Sequence, residues 1–152
     1  MTGARSCYLH GAFRGGEFAT SWRLEHGALL DLGPHLLDIL DTAVAPIVSV
    51  QATGDPRRWV ELTCGHENGA VSQASLSGCV QLPKARTRVD LFGPEQELVY
   101  DTAGIDHEEC WPVPRREFAT AIRTATGTGT GTDAKHGLHL QKLLAMAART
   151  AG

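Results

Sequence analysis

The sequence predicts an α+β fold, a single mostly antiparallel open sheet with helices packed on one face. Three observations lead to this prediction. Leucines recur at helical spacing over residues 29–41. Apolar and polar positions then alternate, with tight turns between the runs, over residues 47–100. Helical spacing returns over residues 114–149. Strands joined by tight turns are antiparallel neighbours, and helices can cover the apolar side of the sheet that they form.

The N-terminal part is predicted to open with an irregular lead-in over residues 1–15, because no periodicity is visible there. The domain itself is expected to span residues 16–152. Residues 17–24 alternate large with small or polar side chains, which indicates a strand. The leucine-rich helix that follows contains Pro34, and a proline inside a helix costs about 3 kcal/mol. Regular helix is therefore expected to begin near residues 31–33, or to be kinked there.

The middle of the chain is predicted to form the rest of the sheet. Period-two runs lie over residues 47–50, 59–64, 70–80, 86–92 and 98–100. Asn68-Gly69, between the second and third runs, is a dipeptide that accepts positive φ and favours a hairpin. Two closing helices are predicted over residues 114–125 and 133–149. The Thr-Gly run at 126–132 between them has the composition of a flexible linker.

Composition narrows the class of protein. The chain has 152 residues, a net charge of −3 and a pI near 6.1, so it lacks the basic footprint of a nucleic-acid binder. No apolar run approaches the roughly 20 residues of a membrane helix. The four cysteines are not spaced like a zinc knuckle or a redox pair, and we interpret them as reduced thiols of a cytoplasmic protein.

Three titratable residues interrupt the apolar face of the predicted helix. Asp31, His35 and Asp38 stand at positions i, i+4 and i+7, within about 60° of one another around a helix. A histidine close to a carboxylate can take or give a proton near neutral pH. The alternative is that these residues form an ordinary solvated face of an amphipathic helix, and the spacing alone does not separate the two interpretations.

The segment from Gly27 to Asp38 resembles the G-x-x-x-D-x-G-x-H-x-x-D signature of the Gfo/Idh/MocA oxidoreductase family. The order of predicted elements over residues 16–150 is also similar to that of the family's C-terminal domain. The resemblance implies a substrate-binding and oligomerising domain of an NAD(P)-dependent oxidoreductase that acts on a sugar, polyol or related CH–OH group. It further implies that His35 exchanges a proton with the substrate hydroxyl and that Asp31 orients both. Arg23 and Asp38 are substrate-side candidates, with a structural or capping role as the alternative for Asp38.

The sequence departs from the family where the nicotinamide should bind. A dinucleotide fingerprint opens with a strand followed by G-x-G-x-x-G and a helix. Residues 129–134 match G-x-G-x-x-A, but they follow a helix and lie in the Thr-Gly run. None of the three lysines stands in the family's E-K-P motif. We therefore expect this chain to bind no cofactor, and we expect NAD or NADP to be held by a separate domain, which a separate Rossmann-domain chain could supply.

Assembly is the remaining prediction. The three predicted helices cover one side of the sheet, so the other side is expected to join two copies into a homodimer or a higher oligomer. Its predicted residues are Trp59, Thr63, Val71, Gln73, Ser75, Ser77 and Cys79. Two alternatives to the oxidoreductase domain remain open. One is a non-catalytic dimerisation module with the same fold, and the other is a small metal site built from the histidines near residues 107, 136 and 139.

Overall fold

A computed structural model describes residues 1–124 and 134–151. Its six strands form one mixed, mostly antiparallel sheet, which confirms the predicted α+β class. The strands are β1 (Gly3–Leu9), β2 (Ile47–Asp55), β3 (Trp59–His66), β4 (Val71–Ser77), β5 (Arg86–Phe92) and β6 (Glu97–Asp101). Their order across the sheet is β2-β3-β4-β1-β5-β6. Within the described sheet, only the β1–β4 pair is parallel.

Four α-helices accompany the described sheet: α1 (Ser21–Ala43), α2 (His107–Cys110), α3 (Pro112–Thr124) and α4 (Ala134–Thr150). Short 3-10 turns at Ala12–Arg14 and Thr102–Gly104 follow β1 and β6. Helices α1 and α4 pack on each other and on the same side of the sheet. No helix among the described residues is long and apolar enough to cross a membrane. The predicted Thr-Gly linker at 126–132 lies outside the described residues.

The hydrophobic core lies between the sheet and the α1–α4 layer. On the sheet side, Val60, Leu62 and Cys64 alternate with outward residues and pair with Leu76, Ala74 and Ser72 of β4. On the helix side, seven leucines are at most 2% exposed: Leu29, Leu32, Leu36, Leu37, Leu40, Leu143 and Leu144. Complete burial of a leucine contributes about 1.5–3 kcal/mol, so this layer is the main source of stability.

The prediction of an irregular lead-in over residues 1–15 is wrong for residues 3–9. These residues form β1, which lies inside the sheet between β4 and β5. Ala4 of this strand is buried, while Ser6 donates from its hydroxyl to the carbonyl of Gln73 at 3.0 Å. Strand β1 contains no β-branched residue, so its sequence favours a strand only weakly. Its backbone is held in the extended conformation because it pairs with β4 on one side and with β5 on the other. The domain therefore begins well before residue 16.

The predicted strand over residues 17–24 is also wrong, because residues 21–26 are helical. Thr20 caps the helix by accepting a hydrogen bond from the backbone N–H of Arg23 at 3.4 Å. The break in α1 lies at Gly27, which has φ 70° and ψ −170°. The break in the helix therefore lies at Gly27 and not near residues 31–33 as predicted. Pro34 lies inside the helix.

The closing helices differ from their prediction in how they pack. Helix α4 buries Leu143, Leu144 and Ala147 against the sheet layer. Helix α3 buries no residue, so it does not cover the sheet as predicted for residues 114–125.

Two residues that were predicted to lie on the open side of the sheet lie elsewhere. Ser77 is buried and donates to the carbonyl of Arg58 at 2.6 Å, while Cys79 packs against the core.

Candidate active site

A cleft of about 360 Å³ opens where β1 ends and α1 begins. Its floor comes from the strand and the 3-10 turn, and its opposite wall comes from α1. The lining residues are Tyr8, His10, Ala12, Phe18, Arg23, Asp31, Leu32, His35 and Ala85. Three of the four predicted site residues, Arg23, Asp31 and His35, are therefore brought together in one cleft.

Asp31 and Arg23 form an ion pair in this cleft. The Arg23 Nε lies 3.6 Å from Asp31 Oδ1, and the two side chains are 35% and 14% exposed. The guanidinium also stands over the Phe18 ring, 5.5 Å from its centroid, where the negative face of the ring attracts the cation. Among the described residues, no ion pair joins Asp31 to His35. The acid and the histidine thus share the cleft, and the carboxylate takes Arg23 as its partner.

Gly27 separates the helical segment that carries Arg23 from the one that carries Asp31. Its φ and ψ lie in a region that side-chain-bearing residues essentially do not occupy. A Cβ at this position would lie 2.3 Å from the Cα of Arg57. The backbone N–H of Leu29 donates to the carbonyl of Pro56 at 2.9 Å, which ties the new helix start to the β2–β3 connection.

His35 lies on the exposed side of α1, one turn after Asp31. Its imidazole meets the ring of Tyr8 edge to face, with centroids 5.7 Å apart and an interplanar angle of 69°. This contact fixes one side of the histidine and leaves the other open to the cleft. An accessible imidazole held next to a carboxylate–guanidinium pair can exchange a proton with a bound hydroxyl group.

Sequence reasoning missed Tyr8 and His10, which line the same cleft. Burial is the main cause that raises the pKa of the Tyr8 phenol, and the negative charge of Asp31 raises it further. Burial also lowers the pKa of His10, against the opposing effect of Asp31. The two residues stand two positions apart, so one side of a strand would carry both. That signal was not usable because β1 was not recognised as a strand.

Asp38 does not line the cleft. Its Oδ1 lies 2.6 Å from Nε2 of His136 on α4. One turn further along α1, Asp41 Oδ1 lies 2.9 Å from Nε2 of His139 and also accepts the backbone N–H of Ile47 at 2.7 Å. These two Asp–His contacts join α1 to α4. The structure therefore gives Asp38 a partner in helix packing, away from the substrate-side position predicted for it.

The histidines of α4, His136 and His139, take part in the same contact between α1 and α4. Each faces its own aspartate, and their rings are 6.4 Å apart. Within residues 1–124 and 134–151, no group of three or more His, Cys, Asp or Glu side chains is placed to hold a metal ion. All four cysteines are free thiols, and burial raises the pKa of Cys64 to about 11.

The mixed six-stranded sheet with helices α1 and α4 on one side places this protein in the α+β class, with an open, mostly antiparallel sheet. Comparison with family sequences matches residues 4–99 to the GFO/IDH/MocA C-terminal domain. The chain belongs to this family, which confirms the resemblance found in the Gly27–Asp38 motif. The match begins at β1, twelve residues before the predicted boundary. A search of curated proteins finds no match to the chain.

Solved structures share the fold at low sequence identity. Levoglucosan dehydrogenase in complex with NADH superposes with a TM-score of 0.79 at 16% identity, covering 99% of this chain and 57% of its own. GenD2 from gentamicin A biosynthesis, in complex with NAD, gives 0.78 at 16% identity, covering 98% and 52%. The WlbA dehydrogenase from Bordetella pertussis, in complex with NADH and UDP-GlcNAcA, gives 0.77 at 16% identity, covering 98% and 52%. The chain spans about half the length of these structures.

Proposed function

We propose that the chain is the substrate-binding and oligomerising domain of an NAD(P)-dependent oxidoreductase acting on a sugar, polyol or related CH–OH substrate. The observation that carries this proposal is the convergence of Arg23, Asp31 and His35 on one cleft. The cleft offers oxygen-rich ligands a charged donor, a charged acceptor and an imidazole. Hydroxyl groups both donate and accept hydrogen bonds, so this mixture suits a polyhydroxylated substrate.

In this proposal His35 is the proton acceptor for the substrate hydroxyl and returns the proton in the reverse direction. Asp31 orients the substrate, and its pairing with Arg23 fixes the direction in which the carboxylate points. Hydrogen bonds from a substrate hydroxyl to Asp31, or from Arg23 to a substrate oxygen, would be charge-assisted and about twice as strong as neutral ones, so the pair is expected to dominate binding. Asp38, which faces His136, supports the position of α1 and stays outside the substrate contact.

The residues described here do not fit a nicotinamide dinucleotide. Two connections lead from a strand to a helix, one over residues 10–20 and one over residues 102–106, and neither has the G-x-G-x-x-G pattern that binds a pyrophosphate. NAD or NADP, bound by another domain of the same or a separate chain, would accept the hydride. This chain contributes the substrate contacts and the proton exchange.

The experiment is a binding measurement on the purified chain by ligand-observed NMR, with myo-inositol, D-glucose and L-sorbose as probes. We expect millimolar binding of at least one probe. We expect Asp31→Asn to weaken it about tenfold or more, because a hydrogen bond to a charged group contributes about 1.5–3 kcal/mol. Asp38→Asn, the same change two turns along α1, is the matched comparison and should leave binding unchanged. Binding that Asp38→Asn reduces as strongly as Asp31→Asn would contradict the assignment.

Assembly forms the second part of the proposal. The side of the sheet opposite the helices exposes Trp59, Val71, Phe92 and Val99, and Val71 is 52% exposed. A homodimer would bury this side against its own copy, with at least about 1,000 Å² in total for a stable interface. We expect the wild-type chain to run as a dimer in light scattering at micromolar concentration and Val71→Asp to run as a monomer. Leu138→Asp, an equally exposed position on α4, is the control and should stay dimeric.

These two experiments also separate the oxidoreductase domain from a non-catalytic dimerisation module. A module of that kind would dimerise through the sheet without binding any probe in the cleft. Sugar binding that depends on Asp31 therefore favours the oxidoreductase domain, and dimerisation alone favours the module. The free state of all four cysteines supports the cytoplasmic setting that belongs to this proposal.

A further inference from the structure

His10 is held rigidly at the end of β1. Its backbone N–H donates to the carbonyl of Ser77 and its carbonyl accepts from Val80, each at 3.0 Å. Its ring lies edge to face between Tyr8 and Phe13, with centroid distances of 5.4 and 5.6 Å. Both backbone and ring are therefore fixed, and the side chain lines the cleft that contains Arg23, Asp31 and His35.

One hydrogen bond identifies the protonated nitrogen of this ring. The backbone N–H of Ala12 donates to Nδ1 of His10 at 3.1 Å. A ring nitrogen that accepts a hydrogen bond carries no proton, so the neutral ring must bear its proton on Nε2. Burial lowers the pKa of His10, and the nearby charge of Arg23 lowers it further, while Asp31 opposes both. The ring is therefore neutral at pH 7 and presents an Nε2–H donor.

We infer that His10 is a positioning residue of the proposed site, whose fixed Nε2–H donates a hydrogen bond to a substrate oxygen. This inference rests on the proposed function. It divides the work between two histidines of the same cleft. His35 is exposed on α1 and exchanges the proton with the substrate hydroxyl. His10 is held in place by Ala12, Tyr8 and Phe13, and it donates a hydrogen bond to a substrate oxygen that acts as acceptor. With Asp31 as acceptor and Arg23 as second donor, the cleft can bind adjacent oxygen atoms of a polyol or sugar in one orientation.

The first test is the tautomer of His10 in the purified wild-type chain. Long-range proton–nitrogen NMR distinguishes the two neutral tautomers and the imidazolium, and a His10→Gln spectrum assigns the signal. We expect the Nε2–H tautomer at pH 7. A ring protonated on Nδ1, or on both nitrogens, at that pH would overturn the inference without reference to any ligand. If neither variant folds, sequential backbone assignment of the wild-type chain identifies the His10 signal, so the tautomer can still refute the inference.

The second test compares two substitutions of His10 in the same sugar titrations. His10→Phe keeps a ring between Tyr8 and Phe13 and removes the donor, so binding should weaken about three- to tenfold, the effect of one neutral hydrogen bond. His10→Gln can place an amide N–H near the position of Nε2 and should stay within about twofold of wild type. Circular dichroism confirms that each variant is folded.

The outcomes separate this inference from the proposed function. Binding that responds to Asp31→Asn but not to His10→Phe would refute the role of His10 and leave the proposed function standing. Equal losses for His10→Phe and His10→Gln would show that the residue only supports the fold of the cleft. Absence of binding by all three probes would count against the proposed function, and the role of His10 would fall with it.

Discussion

Replacement of Gly27 by alanine tests how the cleft is built. With φ 70° and ψ −170°, the backbone lies in a region essentially restricted to glycine, and an alanine there costs about 1–3 kcal/mol. The new Cβ would also lie 2.3 Å from the Arg57 Cα and 2.8 Å from the Pro56 carbonyl oxygen. Both are backbone atoms of the β2–β3 connection, so relief requires the chain to move, and overpacking of this kind costs about 1–3 kcal/mol more.

We therefore expect Gly27→Ala to lower the free energy of unfolding by about 2–6 kcal/mol, the sum of these two effects. In a chain of this size the melting temperature should fall by about 4–24 °C. Urea unfolding followed by circular dichroism measures the loss. Gly137→Ala is the matched control, because Gly137 lies in α4 with open space around its Cβ position, and it should be neutral or stabilising by up to about 1 kcal/mol. A Gly27→Ala loss below about 1 kcal/mol would refute the reasoning.

Two further predictions concern buried and paired groups. Burial raises the pKa of Cys64 from 9.0 to about 11, so its contribution to stability is present below pH 9 and is lost as the pH rises to 11. The free energy of unfolding of the wild-type chain should fall by about 2–3 kcal/mol across this pH range, and that of Cys64→Ala should not. An equal dependence of the unfolding free energy on pH in both proteins would contradict this. Asp41→Ala leaves the N–H of Ile47 without its acceptor and should cost about 2 kcal/mol, whereas Asp38→Ala, at a side chain 53% exposed, should cost less than about 1 kcal/mol. Equal losses in urea unfolding would contradict the difference.

The parts of the fold that were predictable are those whose local pattern agrees with their tertiary role. Strands β2, β3 and β4 alternate because one side of each strand faces the layer of α1 and α4 while the other faces outward. The leucines of α1 recur at helical spacing because one side of that helix packs on the sheet. In both cases a single buried side leaves a periodic signal. All five strands between residues 47 and 101 were predicted, although β2 extends to Asp55 and β4 ends at Ser77, before the predicted residue 80.

Strand β1 and the start of α1 carry no such signal. Strand β1 pairs with β4 over seven residues and with β5 over seven, so backbone hydrogen bonding on both sides specifies it. Residues 21–26 expose Trp22 and Leu24, and a short helix with exposed apolar residues resembles an alternating strand in sequence. Helix α3 has a helical period whose apolar side remains exposed, so its pattern predicted the helix correctly and its packing wrongly.

The same distinction applies to the site. Asp31 and His35 were found because they lie in one helix, where spacing determines which residues share a side. Arg23 was placed on the substrate side by resemblance, and the structure explains its position by the turn at Gly27. His10 and Tyr8 reach the cleft from a separate strand, and only the tertiary structure brings that strand next to α1. Residues on different elements that come close only in the folded chain cannot be recognised from their spacing in the sequence.

The motif from Gly27 to Asp38 therefore combines two kinds of requirement that can be tested separately. Gly27 permits the turn, and Gly33 admits α4, since a Cβ on Gly33 would lie 2.9 Å from Cδ2 of Leu144. Asp38 faces His136 across the same helix contact. These three residues serve the fold, and a non-catalytic module would need them as much as an enzyme. Asp31 pairs with Arg23, His35 contacts Tyr8, and all four residues line the cleft. The case for chemistry therefore depends on Asp31 and His35 and not on the motif as a whole.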